Sequence, residues 1–456
     1  MKAPRFAKPN MLDRVIGYFS PATALRNVQA RTMMQALGGY DGGKKSRRQT
    51  QNWVLDEGSA NADTMADLPT LRARSRDLRR NMPIANGAIE TRIDNVVGEG
   101  LKVFPQVKRD LLGMTPDQAR AWNEKAKAEF ELAAWTADMT GVHCFEELQA
   151  LLFGAVDESG DAFVVRRWKK RAGDTYGTKI QVIEADRVSN PNRAADTDRI
   201  VGGVEADENG FVQAYHISNR HPGDVMRKAL SWRRVPAFYT DGRPIVLHLF
   251  KRKRPDQARG VPHLAPVIEV LKQFGTYTEA ELQAAVISAY FTVFVKTASP
   301  DNSPIPTTDT NTNSGKDEIG LGPGAVVDLA MGEDVSIANP NRPNPNFDAF
   351  ALAMLRQIGV GLGLPLELLI KHFTASYSAS RAALEIAWQT FRRERTWLVR
   401  NLCQPFYEWV IEEAVIMGRI EAPGFFDDPA IRRAWLNADW FGQVKISLDP
   451  LKDAKA

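Results

Sequence analysis

Apolar residues recur every three or four positions along some stretches of the 456-residue chain and alternate with polar ones along others, so period separates helices from strands. Leu71, Leu78, Ile84, Ala88, Ile89, Ile93, Val96 and Val97 predict two amphipathic helices from Leu68, broken at Asn81-Met82-Pro83 and stopped by Gly98 and Gly100. Thr115-Pro116-Asp117-Gln118 supplies a cap, a Pro at the first helical position and the reciprocal Gln of a capping box, predicting a helix to about Trp135. A third helix, Phe145 to Val156, ends at Gly160-Asp161 and leads into the strand-like AFVVRRW. KIQVIEADRVSN, VGGVEADENGFVQAYHISN and RPIVLHLFKRKR predict further strands, with Asp207-Glu208-Asn209-Gly210 as a hairpin turn. The first 260 residues therefore read as α+β.

After Gly260 the pattern lengthens. Residues 262–292 are helical for roughly 30 residues, about 45 Å, and FTVFVKT reads as a strand. Residues 298–318 form a polar tract, and GAVVDLAMGEDVSIAN predicts two short strands around Met331-Gly332-Glu333-Asp334. Prolines at 340, 343 and 345 precede a second helix, Phe347 to about Gly359, expected as an antiparallel neighbour of the first. From Arg381 to Met417, Leu384, Trp388, Phe391, Leu398, Leu402, Phe406 and Trp409 form one stripe, interrupted by Arg395. They predict a single helix of ~37 residues, about 55 Å, kinked at Pro405 and ended by Gly418 and Pro423.

With 44% apolar and 25% charged residues the composition is globular, which excludes an intrinsically disordered chain. Cys144 and Cys403 cannot form a disulfide framework, and no charged-apolar-small leader opens the chain, so synthesis in a reducing cytoplasm is expected. No apolar run approaches the roughly 20 residues that span a bilayer. The net charge of +4 conceals an asymmetry: residues 1–48 hold 10 Lys/Arg against Asp13 and Asp41, leaving 49 against 53 for the rest. Residues 1–66 thus read as a basic arm, partly extended, ahead of a mildly acidic body.

Candidate chemistry is sparse. Gly38 and Gly43-Lys44 have P-loop spacing, but Lys45 stands where Ser or Thr should hold magnesium and no strand precedes Gly38. Gly359, Gly361 and Gly363 follow a helix and read as a hinge, not a dinucleotide fingerprint. The six His form no HxH or HExxH pair, and His143-Cys144 with Glu146 lacks a downstream CxxC, so a buried Cys beside a half-exposed His is expected and no metal. Asp157, Glu158 and Asp161 read as capping a turn into the next strand. Thr374, Ser376, Ser378 and Ser380 cluster beside Lys371 and His372, neither at a catalytic spacing, and Ser378 or Ser380 as the N-cap of the long helix explains the stretch without a nucleophile.

In order along the chain, RSRDLRRNMPIANGAIETRIDNVVGEGL, VIEADRVSNP, FDAFALAMLRQIGVGLGLPLELL, YSASRAALEIAWQTFRRERTWLVRNLCQPFYEWVIEEAVIMGRI and DPLKDAKA resemble the portal proteins of tailed bacteriophages, in particular the lambda-type family. The resemblance implies a homo-oligomeric ring, usually of twelve subunits, at one capsid vertex. Through its channel double-stranded DNA is packaged by a separate terminase and later ejected. It also implies a head-tail adaptor, the major capsid protein and scaffold as partners, no membrane, no cofactor, no catalysis, and a virion location after assembly in the host cytoplasm.

Carried onto this sequence, the resemblance gives a portal fold of class α+β. It would have a basic N-terminal arm (1–66), a wing (67–261), an antiparallel helical stem (262–292 and 346–363) and a small β-containing clip (293–345). A tunnel loop region (364–380), the long kinked spine helix (381–417) and a C-terminal wing or start of a crown (418–456) would follow. Lys371, His372, Thr374, Ser376, Tyr377, Ser378 and Ser380 would face DNA, with Lys371 as the cation for phosphate, while Arg381, Arg392, Arg393 and Arg395 would pair subunits. The tract 299–316 is longer than a minimal clip, and DPLKDAKA falls where relatives continue, so a crown is expected to be truncated or absent.

Three other classes make different demands. A hydrolase needs a base for the hydroxyl loop. Another capsid or head-tail connector component would assemble without an axial hole. A DNA-binding regulator needs a basic reading helix, and its candidates RARSRDLRR and FRRER both carry acids.

Overall fold

The computed structural model describes residues 11–37, 52, 57–224, 229–289, 293–297, 333–337, 346–373 and 376–443. It falls into two units, Met1–Ser59 and Ala60–Ala456. In the first, helix α1 (Met11–Phe19) turns at Ser20 into α2 (Pro21–Leu37). The arm expected to be partly extended is therefore helical over 11–37. Met11, Leu12, Val15 and Phe19 recur at helical spacing, but all are exposed, so their pattern builds no core within this unit. The P-loop-like Gly38 and Gly43-Lys44-Lys45 lie outside the described residues.

The second unit mixes helices with antiparallel sheets. It opens with α3 (Ala60–Met65), α4 (Leu68–Asn81), α5 (Pro83–Val96), strand β1 (Lys102–Pro105), α6 (Arg109–Leu112), α7 (Pro116–Ala134) and α8 (Phe145–Ser159). Strands β2 (Asp161–Trp168), β3 (Thr178–Glu184), β4 (Ile200–Val201), β5 (Val204–Ala206), β6 (Val212–Ser218), β7 (Trp232–Pro236) and β8 (Val246–Phe250) follow. Next come α9 (Ile268–Ala289), β9 (Val293–Thr297), β10 (Glu333–Ile337), α10 (Phe347–Leu362), α11 (Leu366–Leu369), α12 (Tyr377–Leu398), α13 (Gln404–Ile416), α14 (Pro429–Trp435) and β11 (Ala438–Phe441).

Local signals place most of these elements. Thr115 Oγ1 accepts from the Gln118 amide while Gln118 Oε1 accepts from the Thr115 amide, closing the capping box that starts α7. Asp207 accepts from the Asn209 and Phe211 amides in the turn between β5 and β6. Cys144, half-buried at the N-cap of α8, donates its amide to Glu147, so the Cys is a cap and not the buried residue expected.

Sheet order is β3-β2-β8 in one sheet and β4-β5-β6-β7 in the other. Strand β2 is apolar on both faces because both are buried: Val164 joins the main core, while Phe163 and Val165 join a smaller one with Tyr215, Ile217, Val235 and Val246. In the main core Phe145 stacks on Phe406 at 4.5 Å, and Phe130 meets Phe406 and Tyr407 edge-on at 5.7 and 5.6 Å. Strand β11 pairs with β1 from Lys102↔Phe441 to Pro105↔Ala438, so residues up to 441 are stitched to the start of this unit.

Helices α9 and α10 run antiparallel: His263 Nε2 lies 3.1 Å from Leu362 O at one end, and Tyr277 stacks on Phe347 at 5.5 Å further along. The three glycines read as a hinge are contact and cap positions. A Cβ on Gly361 would fall 2.4 Å from Val267 Cγ1, one on Gly359 would fall 2.6 Å from Leu364 O, and Gly363 ends α10 with φ +66°. Between the two helices β9 and β10 pair antiparallel, Val293 against Ile337. Glu333 and Asp334, expected in a turn, therefore begin a strand; residues 298–332 lie outside the described residues.

The long helix starts four residues before its expected position and is not continuous. Val399–Cys403 form a π turn between α12 and α13. Pro405, which cannot donate a backbone bond, then enters the first turn of α13, where no bond is needed.

Asp161, read as a turn cap, is a fully buried ion-pair centre. Arg72 Nη2 donates at 2.7 Å, Arg259 Nε at 2.6 Å and the Gly260 amide at 3.2 Å, while His248 Nε2 lies 3.3 Å away. Arg259 also donates to the carbonyls of Ala185, Val188 and Gly202. Gly160, at φ +91°, lets this turn touch the Gly260 backbone: a Cβ there would sit 2.4 Å from Gly260 O. Burial alone would raise the Asp161 pKa, but the Arg259 and Arg72 charges overcome it and hold the carboxyl far below its usual range. Replacing Asp161 with Ala strands two buried guanidiniums and should lower unfolding free energy by about 3–5 kcal/mol, read as a drop in the chemical denaturation midpoint.

His248 and His263 are buried. Burial, with Arg259 and Arg72 opposing a proton, outweighs Asp161 and brings His248 to about 4; burial likewise outweighs Asp157 and brings His263 to about 4. Both are neutral in the fold at pH 7, whereas the unfolded chain takes up protons near pH 6.5. Stability should therefore be flat above pH 6.5 and fall between pH 6.5 and 4, by up to roughly 1.4 kcal/mol per pH unit per histidine. Thermal unfolding across that window should show the slope, and His248→Gln should reduce it by about half, leaving the His263 contribution.

Candidate functional site

The hydroxyl-rich stretch joins α11 to α12. Ser376 is the N-cap of α12: its Oγ accepts from the Ala379 amide at 3.4 Å. The cap thus falls before the expected Ser378 or Ser380, because Tyr377 is already helical. Ser378 is exposed, whereas Ser380 is buried with no hydrogen-bond partner for its Oγ. Thr374 lies outside the described residues, as does the Tyr377 side chain. The cluster therefore divides among capping, solvent and core, and no described serine meets a base, which nucleophilic activation would require.

Lys371 is exposed and takes φ +54°, a left-handed conformation uncommon for a side-chain-bearing residue. The next amide, of His372, returns to Glu367 O at 3.1 Å. This reversal presents Lys371, His372 and Phe373 together on the surface, with Phe373 48% exposed. A strained turn that exposes a cation, an imidazole and an aromatic ring suits a contact with another molecule.

Buried charge fixes α12 behind this turn. Arg92 of α5 donates to Asp157 of α8 at 2.6 Å, and Lys251 lies 3.1 Å from Asp157 and 2.5 Å from Glu394 of α12. Burial would raise the Asp157 pKa, but Arg92 and Lys251 hold it well below the carboxylate range. Arg395, the cation in the apolar stripe, donates to Val96 O at 2.9 Å and Asn95 O at 2.8 Å while its guanidinium lies 4.7 Å from the Trp388 ring centroid. It thus caps the C-terminal end of α5. Those bonds are made within one chain, unlike the subunit pairing expected of Arg395. Arg381 is half-buried, and Arg392 and Arg393 are exposed.

Downstream, Glu413 of α13 accepts from the Gly177 and Thr178 amides, both at 2.7 Å, and from Trp168 Nε1 at 3.2 Å. Glu412 receives Arg166, Arg432 and Arg243. The last turns of α12 and of α13 are thereby fixed to the body.

A cavity of about 480 Å³ opens beside the loop, where residues 91–99, 367–373 and 388–395 meet. Local patterning could not find it, since those three segments and Gln443, all distant in sequence, form it. Elsewhere Glu184, Asp186 and His221 bring three possible metal-ligating atoms within 4.8 Å of one another. Arg76 lies 3.1 Å from Glu184 and also pairs with Asp186, so that charge is already matched by a guanidinium. Among the described residues no helix is long and apolar enough to cross a membrane.

A family model described as phage portal protein, lambda family, matches residues 46–395. The portal protein of Escherichia phage N15 is 25% identical, over 93% of this chain and 84% of its own length. Portal protein B of Escherichia phage lambda is 24% identical, over 93% and 84%. Solved structures that align include the neck of a native gene transfer agent particle computed with C12 symmetry (TM-score 0.45, 13% identity, 82% of this chain and 99% of that one). The neck of an empty particle computed with C6 symmetry aligns at TM-score 0.47 and 14% identity over 79% and 93%.

The capping geometry separates the serines by effect. Ser376→Ala should destabilise the start of α12 by about 1 kcal/mol, read as faster amide exchange at Ala379, whereas Ser378→Ala should leave exchange and melting temperature unchanged.

Proposed function

The chain belongs to the lambda family of phage portal proteins, and from that premise we propose that it forms a ring, twelve copies in the usual family form, at one capsid vertex. Double-stranded DNA enters and later leaves through the ring's channel, driven inward by a separate terminase. The protein contributes a conduit and no catalysis. The observation that carries this reading is the family match over residues 46–395.

The element order supports the assignment of parts. Antiparallel α9 and α10 carry the β9–β10 pair between them and form the stem, and residues 293–345 are the clip that docks terminase and then the head-tail adaptor. The unit's sheets and α4–α8 form the wing, where the major capsid protein and scaffold make contact. The turn at Lys371–Phe373 with Ser376 and Ser378 forms the tunnel loop, and α12 and α13 form the spine. The pairing of β11 with β1 supports assigning residues 418–441 to the wing. Assembly takes place in the host cytoplasm.

Charge fits a conduit that does not grip. Each neutralised phosphate adds salt-dependent affinity, so a sliding duplex calls for few cations. Beyond residue 48 the chain has 49 Lys/Arg against 53 Asp/Glu, and Lys371 stands exposed at the turn tip for transient phosphate contact.

Negative-stain electron microscopy of the purified full chain tests the reading. Class averages should show closed rings with an axial hole wide enough to admit a DNA duplex. Closed particles without a hole would favour another head-tail connector component, and monomers at every concentration would overturn the ring.

A further inference from the structure

The cavity beside the tunnel loop is built to receive charge of the opposite sign. Asp94 and Glu99, both exposed, and half-buried Glu367 bring three carboxylates to it, and none is ion-paired among the described residues. Phe373 and Trp388 supply apolar wall. Thr91 lines it too, and its hydroxyl is buried, 4% of the residue being exposed, with no hydrogen-bond partner. Two cations also line it, Arg395, which donates to the Asn95 and Val96 carbonyls, and Lys371, which makes no ion pair among the described residues, so three carboxylates against two cations leave the lining with an excess of one negative charge.

The complementary group lies on the same helix, facing away. Arg393 is five residues after Trp388, about 140° round the axis at 100° per residue, and it is exposed with no ion pair among the described residues. Ile386, seven residues before it and so on the same stripe, is 69% exposed. One side of α12 therefore borders an acidic, partly apolar cavity and the far side carries an apolar residue and a cation. Opposed, complementary faces are what a head-to-tail contact in a closed ring requires.

We propose that Arg393 of one subunit, with Ile386 beside it, enters the cavity of the next copy and pairs with Glu367, Asp94 and Glu99 there. This rests on the ring reading and names the contact that closes the ring next to the channel loop.

A charge swap tests it in the full chain. Arg393→Glu or Glu367→Arg alone should raise the concentration at which rings form by at least about tenfold, measured by sedimentation velocity across a salt series. The Arg393→Glu/Glu367→Arg pair should regain most of that loss. Circular dichroism melts establish that each variant folds. In a Cys144→Ser background, Phe373→Cys with Ile386→Cys should give a ladder of disulfide-linked subunits on mild oxidation. Wild-type rings together with unaffected single variants and no ladder would overturn the pairing and leave the portal reading standing. Absence of rings from the wild-type protein would overturn the ring reading and this contact with it.

Discussion

Asp161 is the constraint on which the large unit depends. A carboxylate removed from water is tolerable only when opposite charge and hydrogen bonds replace its hydration. Here Arg72 comes from α4 and Arg259 from the segment after β8, and both must arrive together. Because Arg259 also donates to the Ala185, Val188 and Gly202 carbonyls, one cluster fixes the first helices, the central strand, both sheets and the entry to α9. Asp157, four residues earlier, repeats the device toward α5, β8 and α12 through Arg92, Lys251 and Glu394. The end of α8 therefore orients both the body and the helix that carries the loop.

Elements held by local rules could be read from sequence. The capping box at Thr115, the turn at Asp207 and the break before Pro83 each depend on neighbours within a few residues. The buried charges could not. Arg72, Arg92, Asp157 and Asp161 are of the types that normally face solvent, and their partners stand 65 to 98 positions away. Period analysis treats such residues as surface, so Asp161 was read as a turn cap. The three glycines after α10 misled for a related reason: flexibility is a property of the residue, whereas closeness to Val267 is a property of the fold.

The site was half legible. The loop is legible in the sequence as the lead into a long helix, and the family resemblance implies a role for it, whereas the short helix before it, Leu366–Leu369, is not predicted. The cap assignment missed because Ser376, Ser378 and Ser380 are chemically equivalent as caps, and only backbone geometry selects among them. Arg395 broke the apolar stripe visibly, yet the carbonyls it serves end a helix some 300 positions earlier.

The π turn at Val399–Cys403 sets the rotational phase of everything ahead of it. A wider turn inserts one residue beyond regular helical pitch, and one residue corresponds to about 100° of rotation. With α13 pinned through Glu412 and Glu413, the azimuth at which α12 presents its loop is chosen by that extra residue. An ordinary helical turn in its place would swing Trp388 and Arg393 about the helix axis without changing a side chain. In the contact proposed through Arg393, the registry between neighbouring copies would thus be an angle held in five residues of the helix itself.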